Sequence, residues 1–128
     1  HCVSDYPLDP EKAYLNNIIE LIKKFPNLNI GFSDHSFGHV LCIAARCLGA
    51  IIFEKHITFD RNDPNPAEHH FALEPSEFKD LVKWLKHIDS NLNSDGFLRS
   101  ENEKINKFTP LLCNENIDNF INAAENEH

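Results

Sequence analysis

The amino-acid sequence predicts an α/β fold made of consecutive βα units with a parallel sheet. Short apolar segments of strand length alternate with longer segments in which apolar residues recur at helical spacing, and the connections are short. The composition is that of one small globular domain, because 41% of the 128 residues are hydrophobic and 25% are charged.

Apolar periodicity predicts three helices. The first, over residues 9–25, begins with Asp9 as its N-cap and Pro10 at the first helical position. The second covers residues 37–48 and is apolar almost all round, which is typical of a helix packed against a sheet. The third covers residues 78–92, where the apolar residues form one stripe.

Three short segments are predicted to be parallel strands: residues 1–4, 28–32 and 50–53. Segment 50–53 is short and wholly apolar, which argues against an exposed edge strand. Three strands are too few to bury both faces of a parallel sheet, and the chain opens with His1 and contains no Met. We therefore expect this chain to be a fragment of a longer protein.

The composition changes after residue 93, which predicts a boundary between residues 1–93 and residues 94–128. The second segment contains seven Asn, many charged residues and one weakly amphipathic helix. We expect it to be a peripheral tail.

Charge and hydropathy exclude several classes of partner. The net charge of −8 disfavours nucleic acid or an anionic membrane surface. No apolar run approaches the roughly 18 residues that a membrane span requires. The four cysteines have no metal-ligand spacing, so we expect reduced thiols and a cytoplasmic location, with Cys42 and Cys47 in the core.

Polar side chains follow each predicted strand, and the carboxyl ends of parallel strands meet at one edge of a sheet. His35 and His56 are one βα repeat apart, so we expect their rings to face each other. Two such imidazoles with oxygen donors nearby suit a divalent metal of the Mn, Fe or Zn type. The alternative is that the histidines only bind loop backbone.

The loop over residues 57–74 is polar and stiffened by prolines. Such a loop at a strand end can hold a polar substrate at little ordering cost. The alternative is an ordinary solvated loop, and we expect His69 and His70 to be exposed to solvent.

Four blocks of residues resemble the N-acylneuraminate (sialic acid) synthase family. They are His1-Cys2-x-Ser4-x-Tyr6-Pro7, Gly31-Phe32-Ser33-Asp34-His35-Ser36-x-Gly38, Glu54-Lys55-His56-x-Thr58-x-Asp60-Arg61-Asn62 and Leu73-Glu74-Pro75. Their order and spacing match the family over residues 1–92. The resemblance implies that residues 1–93 form the last three βα units of a TIM-type (β/α)8 barrel.

Members of this family condense phosphoenolpyruvate with an N-acylated amino sugar, commonly N-acetylmannosamine, and release phosphate. The product is a nine-carbon α-keto acid of the nonulosonic, sialic type. The resemblance places the metal ligands on His35 and His56, with Mn²⁺ the usual ion and Mg²⁺ the alternative, and we expect His35, His56 and Asp34 to be the catalytic residues. Ser33 matches a phosphoenolpyruvate contact, and Tyr6 matches a residue near the amino sugar.

The sequence departs from the family pattern at two substrate positions. Ser4 stands where some members have Asn. The family usually has Gly-Pro-Asp after the Asp-Arg-Asn block, and that Asp contacts the sugar; residues 65–68 here are Asn-Pro-Ala-Glu. We expect Glu68 to replace this Asp, which opens the possibility of a legionaminate-like or spore-coat-polysaccharide type of acceptor.

Other expectations concern what this chain does alone. The family's lysines and glutamate for phosphoenolpyruvate come from earlier strands, so we expect the chain to be inactive alone. The alternatives are a non-catalytic fragment of such a synthase and a metal-dependent aldolase or hydrolase on a similar barrel. Residues 94–128 do not resemble the family's antifreeze-like domain, which leaves a homodimer possible but without support.

Overall fold

A parallel pair of strands positions the other elements. Strand β1 (Gly31–Asp34) lies beside β2 (Ile52–Lys55), with Ser33 opposite Glu54 and Asp34 opposite Lys55. Three helices accompany the strands: α1 (Asn16–Lys24), α2 (Val40–Cys47) and α3 (Pro75–Leu92). This computed structural model describes residues 1–64 and 68–92, and the α/β class predicted from the sequence is confirmed.

The opening segment lies alongside β1 in the parallel direction. Cys2 and Ser33 form a parallel bridge, and the backbone N–H of Ser33 donates to the carbonyl of His1 at 2.9 Å. The order of neighbours is therefore segment 1–4, β1 and β2, as the βα pattern predicts.

Both strands begin and end two or more residues later than the predicted segments 28–32 and 50–53. The pairing continues past the last apolar residue because polar side chains bond across it. The hydroxyl of Ser33 donates to Glu54 Oε1 at 2.7 Å, and Lys55 Nζ lies 3.0 Å from Asp34 Oδ2.

The first predicted helix is divided in two. A 3-10 turn at Pro10–Lys12 is capped by Asp9, whose carboxylate accepts from the N–H of Glu11 at 3.1 Å. The chain then leaves helical geometry at Tyr14, which has a φ of 47°. The helix α1 starts only after this left-handed residue.

The other two helices differ from prediction mainly at their starts. Helix α2 begins at Val40 instead of residue 37, after Gly38 with a φ of 66°. Helix α3 begins at Pro75, where proline is favoured because the first helical N–H has no partner in the helix. Its Glu77 carboxylate also accepts from the N–H of Glu74 at 2.9 Å, which strengthens this end.

The core lies between the helices and one face of the sheet. Its fully buried members come from all three helices, from β1 and from the connections: Ile18, Phe32, Cys42, Ala45, Ala50, Leu73 and Leu81. The prediction that segment 50–53 is not an exposed edge is wrong for the described residues, because β2 pairs only with β1 there and Ile51 and Ile52 are 51% and 56% exposed. Only Ala50 in that segment is fully buried.

The predicted tail over residues 94–128, with its weak helix, lies outside the described residues, as do residues 65–67. Within the described ranges, no helix is both long and apolar enough to cross a membrane.

Two glycines with positive φ provide a test of the backbone geometry. Gly49 has a φ of 107°, outside the region that alanine tolerates, and a Cβ there would lie 2.7 Å from Ile22 Cδ1. We expect Gly49→Ala to lower the free energy of unfolding by about 2 kcal/mol or more. Gly38→Ala is the control, with a φ of 66° and open space, and should cost about 1 kcal/mol. Urea denaturation of both variants measures the difference, and an equal loss at the two sites would contradict it.

Candidate functional site

Two histidines lie at the carboxyl ends of the neighbouring strands. His35 follows β1 and His56 follows β2, and their ring centroids are 5.3 Å apart with an angle of 67° between the planes. His35 is buried and His56 is partly buried. The predicted juxtaposition of the two rings is confirmed, and their role as metal ligands stays a prediction.

Hydrogen bonds determine how His35 presents its ring. Its Nδ1 lies 2.8 Å from the carbonyl oxygen of Val3, which can only accept, so Nδ1 carries the hydrogen. Its Nε2 lies 3.4 Å from Ser33 Oγ, but the one hydroxyl hydrogen of Ser33 is donated to Glu54. In the neutral ring Nε2 therefore keeps its lone pair. A histidine bonded through Nδ1–H to a backbone carbonyl is the usual arrangement for a metal ligand.

Aromatic rings surround the two histidines. The ring of Tyr6 lies over His35 with centroids 4.2 Å apart, and it meets the His56 ring edge-on at 6.1 Å. Phe71 packs against His56 at 5.1 Å and is fully buried, whereas Tyr6 is 49% exposed. Tyr6 can therefore contact both the histidines and a bound molecule. The contact of Phe71 with the histidines was not predicted, and its only sequence signal is an aromatic residue late in a polar loop.

Three predicted substrate residues have different surroundings. Ser33 shares the open face of the sheet with Glu54, for which no role was predicted. Ser4 is exposed, two residues before Tyr6. Glu68 begins a 3-10 turn, Glu68–Phe71, and its side chain lies outside the described part of the structure.

Asp34 lies on the opposite face of β1 from Ser33, as strand alternation requires. Its carboxylate pairs with Lys55 at 3.0 Å, and the two side chains are 0% and 1% exposed. Its other oxygen accepts from the N–H of Ser36 at 2.9 Å. In this geometry Asp34 does not reach the histidine face, so a catalytic role for it stays a prediction and its observed role is structural.

Cys42 completes the surroundings of this carboxylate. Its thiol donates to Asp34 Oδ2 at 3.3 Å, and burial together with the negative charge of Asp34 raises the pKa of Cys42 well above its usual value. The prediction that Cys42 is a core residue is confirmed. The same prediction for Cys47 is wrong, because it is exposed: it lies 200° around α2 from the buried Ala45.

The loop after His56 is anchored at both ends. The N–H of Leu73 donates to the carbonyl of His56 at 2.8 Å, and the N–H of Thr58 donates to Leu73 at 2.9 Å. Within the loop, Thr58 Oγ1 lies 2.8 Å from His69 Nδ1. His69 is therefore partly buried and bonded, contrary to prediction, whereas His70 is exposed as predicted.

The donor set is limited to two side chains. Across residues 1–64 and 68–92, no group of three or more His, Cys, Asp or Glu is arranged to hold a metal. The facing imidazoles of His35 and His56 supply two donors of a type that divalent metals take in catalytic sites, so the described residues account for part of a metal site.

Parallel βα units with polar side chains gathered at the strand ends are characteristic of the α/β domains of TIM-barrel enzymes. The chain matches the NeuB family over residues 1–96. It belongs to this family, and the resemblance to N-acylneuraminate synthases is confirmed.

Similar proteins are known in bacteria and animals. The spore coat polysaccharide biosynthesis protein SpsE of Bacillus subtilis is 42% identical over 107 residues, covering 82% of this chain and 28% of SpsE. The N-acetylneuraminate-9-phosphate synthase of Mus musculus is 41% identical over 93 residues, covering 73% of this chain and 26% of the synthase.

A solved structure supports the same fold. The N-acetylneuraminic acid (sialic acid) synthetase of Leptospira borgpetersenii, crystallised with citrate, superposes with a TM-score of 0.71 at 35% identity. The superposition covers 81% of this chain and 36% of the synthetase. The chain thus spans between 26% and 36% of the length of these three proteins.

The surroundings of the cysteines predict their reactivity. In the native protein at pH 8.5, iodoacetamide should modify the exposed Cys2 and Cys47 and leave Cys42 unmodified. The raised pKa keeps Cys42 in its unreactive thiol form, and burial blocks access. Peptide mass mapping measures the outcome. The urea-unfolded protein is the control, in which Cys2, Cys42 and Cys47 should all react. Modification of native Cys42 as fast as Cys47 would contradict it.

Proposed function

We propose that this chain forms the last three βα units of a TIM-type barrel that makes a nonulosonic (sialic-type) acid. The barrel condenses phosphoenolpyruvate with an N-acylated amino sugar and releases phosphate. The observation that carries the proposal is the His35–His56 pair, with its rings 5.3 Å apart at the strand ends of a NeuB-family domain. The similarity to the mouse N-acetylneuraminate-9-phosphate synthase supports this reaction class.

The histidine pair is proposed to hold a divalent metal, Mn²⁺ first and Mg²⁺ second. Oxygen donors nearby, on Ser33 and Glu54, favour these hard ions over zinc. When bound, such an ion supplies Lewis-acid polarisation of the carbonyl oxygen of the amino sugar. The bond from His35 to the carbonyl of Val3 fixes the ring so that Nε2 is available.

The other side chains of the face are proposed to bind the substrates. Ser33 donates its hydroxyl hydrogen to Glu54, and it can turn the same hydrogen to an oxygen of phosphoenolpyruvate. Tyr6 presents an exposed ring and hydroxyl beside the histidines, which suits one face of a sugar. Ser4 is proposed to bind a substrate, and Glu68 is proposed to contact the acceptor sugar.

A second candidate is a non-catalytic fragment of such a synthase. The observation that favours it is the exposed apolar surface at the start of β2, where Ile51 and Ile52 are about half exposed. A complete barrel would cover this surface with another strand. The intact mass of the protein from its source cells separates the candidates: a mass several times that of 128 residues favours the synthase, and a mass equal to it favours the fragment.

Substitution of the histidines tests the metal site. His35→Ala and His56→Ala, each made in the protein at its native length, should abolish the Mn²⁺ dependence of phosphate release from phosphoenolpyruvate. Removing either imidazole leaves one ligand, which cannot hold the ion at micromolar concentration. His87→Ala is the matched control, because His87 lies on α3 in ring contact with Trp84; it should leave the metal content and the activity unchanged. Unchanged metal content and activity in either strand-end variant would remove the metal-pair hypothesis.

The proposed sugar contact is tested at Glu68. Glu68→Ala should raise KM for the amino sugar about tenfold, because a hydrogen bond to a charged group is lost, and leave KM for phosphoenolpyruvate nearly unchanged. Initial rates with each substrate varied in turn measure both constants. Glu20→Ala, at an exposed carboxylate on α1, is the control. Equal increases in the two constants would show that Glu68 does not contact the sugar.

A further inference from the structure

We propose that the buried ion pair between Asp34 and Lys55 is a positioning device that holds His35 and His56 at the spacing of a metal pair. The inference rests on the proposed function, because it concerns the same two histidines. It assigns a role to two buried charged side chains that the proposed reaction does not otherwise use.

Each member of the ion pair directly precedes one of the two histidines in the sequence, and the two members are neighbours in the sheet. Asp34 precedes His35, Lys55 precedes His56, and the two charged residues are opposite each other in the parallel register. The carboxylate and the ammonium are 3.0 Å apart. A bond across the last paired position of the two strands fixes the distance between the backbones from which the two rings project.

The contacts of the ammonium group make this attachment stronger than a single bond. Lys55 Nζ donates both to Asp34 Oδ2 and to the carbonyl of Ser36, and the N–H of Ser36 donates to Asp34 Oδ1. The residues on both sides of His35 are therefore tied to the residue before His56. A shift of His35 relative to His56 would break at least one charge-assisted hydrogen bond.

The residues around the Asp34–Lys55 ion pair hold it in a defined geometry. Both side chains are almost wholly inaccessible to solvent, and Cys42 donates a third hydrogen bond to the carboxylate. In the described part of the chain, every buried side-chain nitrogen and oxygen has a partner. A buried ion pair adds little to stability compared with apolar side chains of the same volume, which leaves conformational specificity as the reason that fits its location.

The test compares metal binding by variants that remove the charge and keep the volume. Asp34→Asn and the double variant Asp34→Asn/Lys55→Met, made at the native length, should bind Mn²⁺ about 10- to 100-fold more weakly, the usual loss when residues supporting a ligand are changed. Electron paramagnetic resonance of free Mn²⁺ gives the affinity, and circular dichroism verifies folding. Asp34→Asn alone leaves the buried ammonium of Lys55 without its carboxylate. The double variant leaves no buried charge unpaired, so we expect it to fold even where the single variant does not.

A matched control separates positioning from general stability. Leu81→Ala truncates a fully buried side chain on α3, outside the network around the ion pair, and should leave the Mn²⁺ affinity within about twofold although the protein is destabilised. Parent-like Mn²⁺ affinity in the double variant, or an equal loss in Leu81→Ala, would overturn the proposal.

A readout without metal distinguishes this inference from the proposed function. In the metal-free protein, long-range ¹H–¹⁵N spectra of histidine should show His35 protonated at Nδ1, and nuclear Overhauser effects should show its ring close to that of His56; the double variant should lose the contact between the rings. If the parent binds neither Mn²⁺ nor Mg²⁺, the proposed metal site is wrong, and these spectra alone decide the positioning role. Spectra that are unchanged in the double variant would overturn it.

Discussion

The parallel register of β1 and β2 is the constraint on which the rest of the structure depends. It places residues that are one βα repeat apart in the chain side by side in space, so that Ser33 meets Glu54, Asp34 meets Lys55, and the next residues are the two histidines. Helix α2 allows this register because it returns the chain from the end of β1 to the start of β2. The site is a product of this one pairing.

Strand alternation then divides the polar residues between two environments. Ser33 and Glu54 lie on the solvent-accessible face of the sheet, while Asp34 and Lys55 face the helices and are almost wholly inaccessible to solvent. Adjacent residues of one strand, Ser33 and Asp34, thus lie in an open and in a buried environment.

The fold class and the histidine pair were predictable because they depend on periodicity and on strand ends, which sequence patterns record directly. The helix break at Tyr14 was not, since an ordinary tyrosine gives no signal for a left-handed backbone. The buried partner of Asp34 was also missed, because a charged residue after an apolar run resembles a residue of the open site. Only the pairing register of β1 and β2 shows which face of the sheet Asp34 occupies.

The exposed apolar start of β2 has a consequence for the extent of the sheet. Among the residues that the structure describes, β2 hydrogen-bonds to β1 on one side, and the other side is an edge. Successive side chains of a strand point to opposite faces, so Ile51 and Ile52, both about half exposed, leave apolar surface on both faces beside that edge. A further strand paired there would occupy the backbone groups of the edge, and this side of β2 is therefore where the sheet can continue.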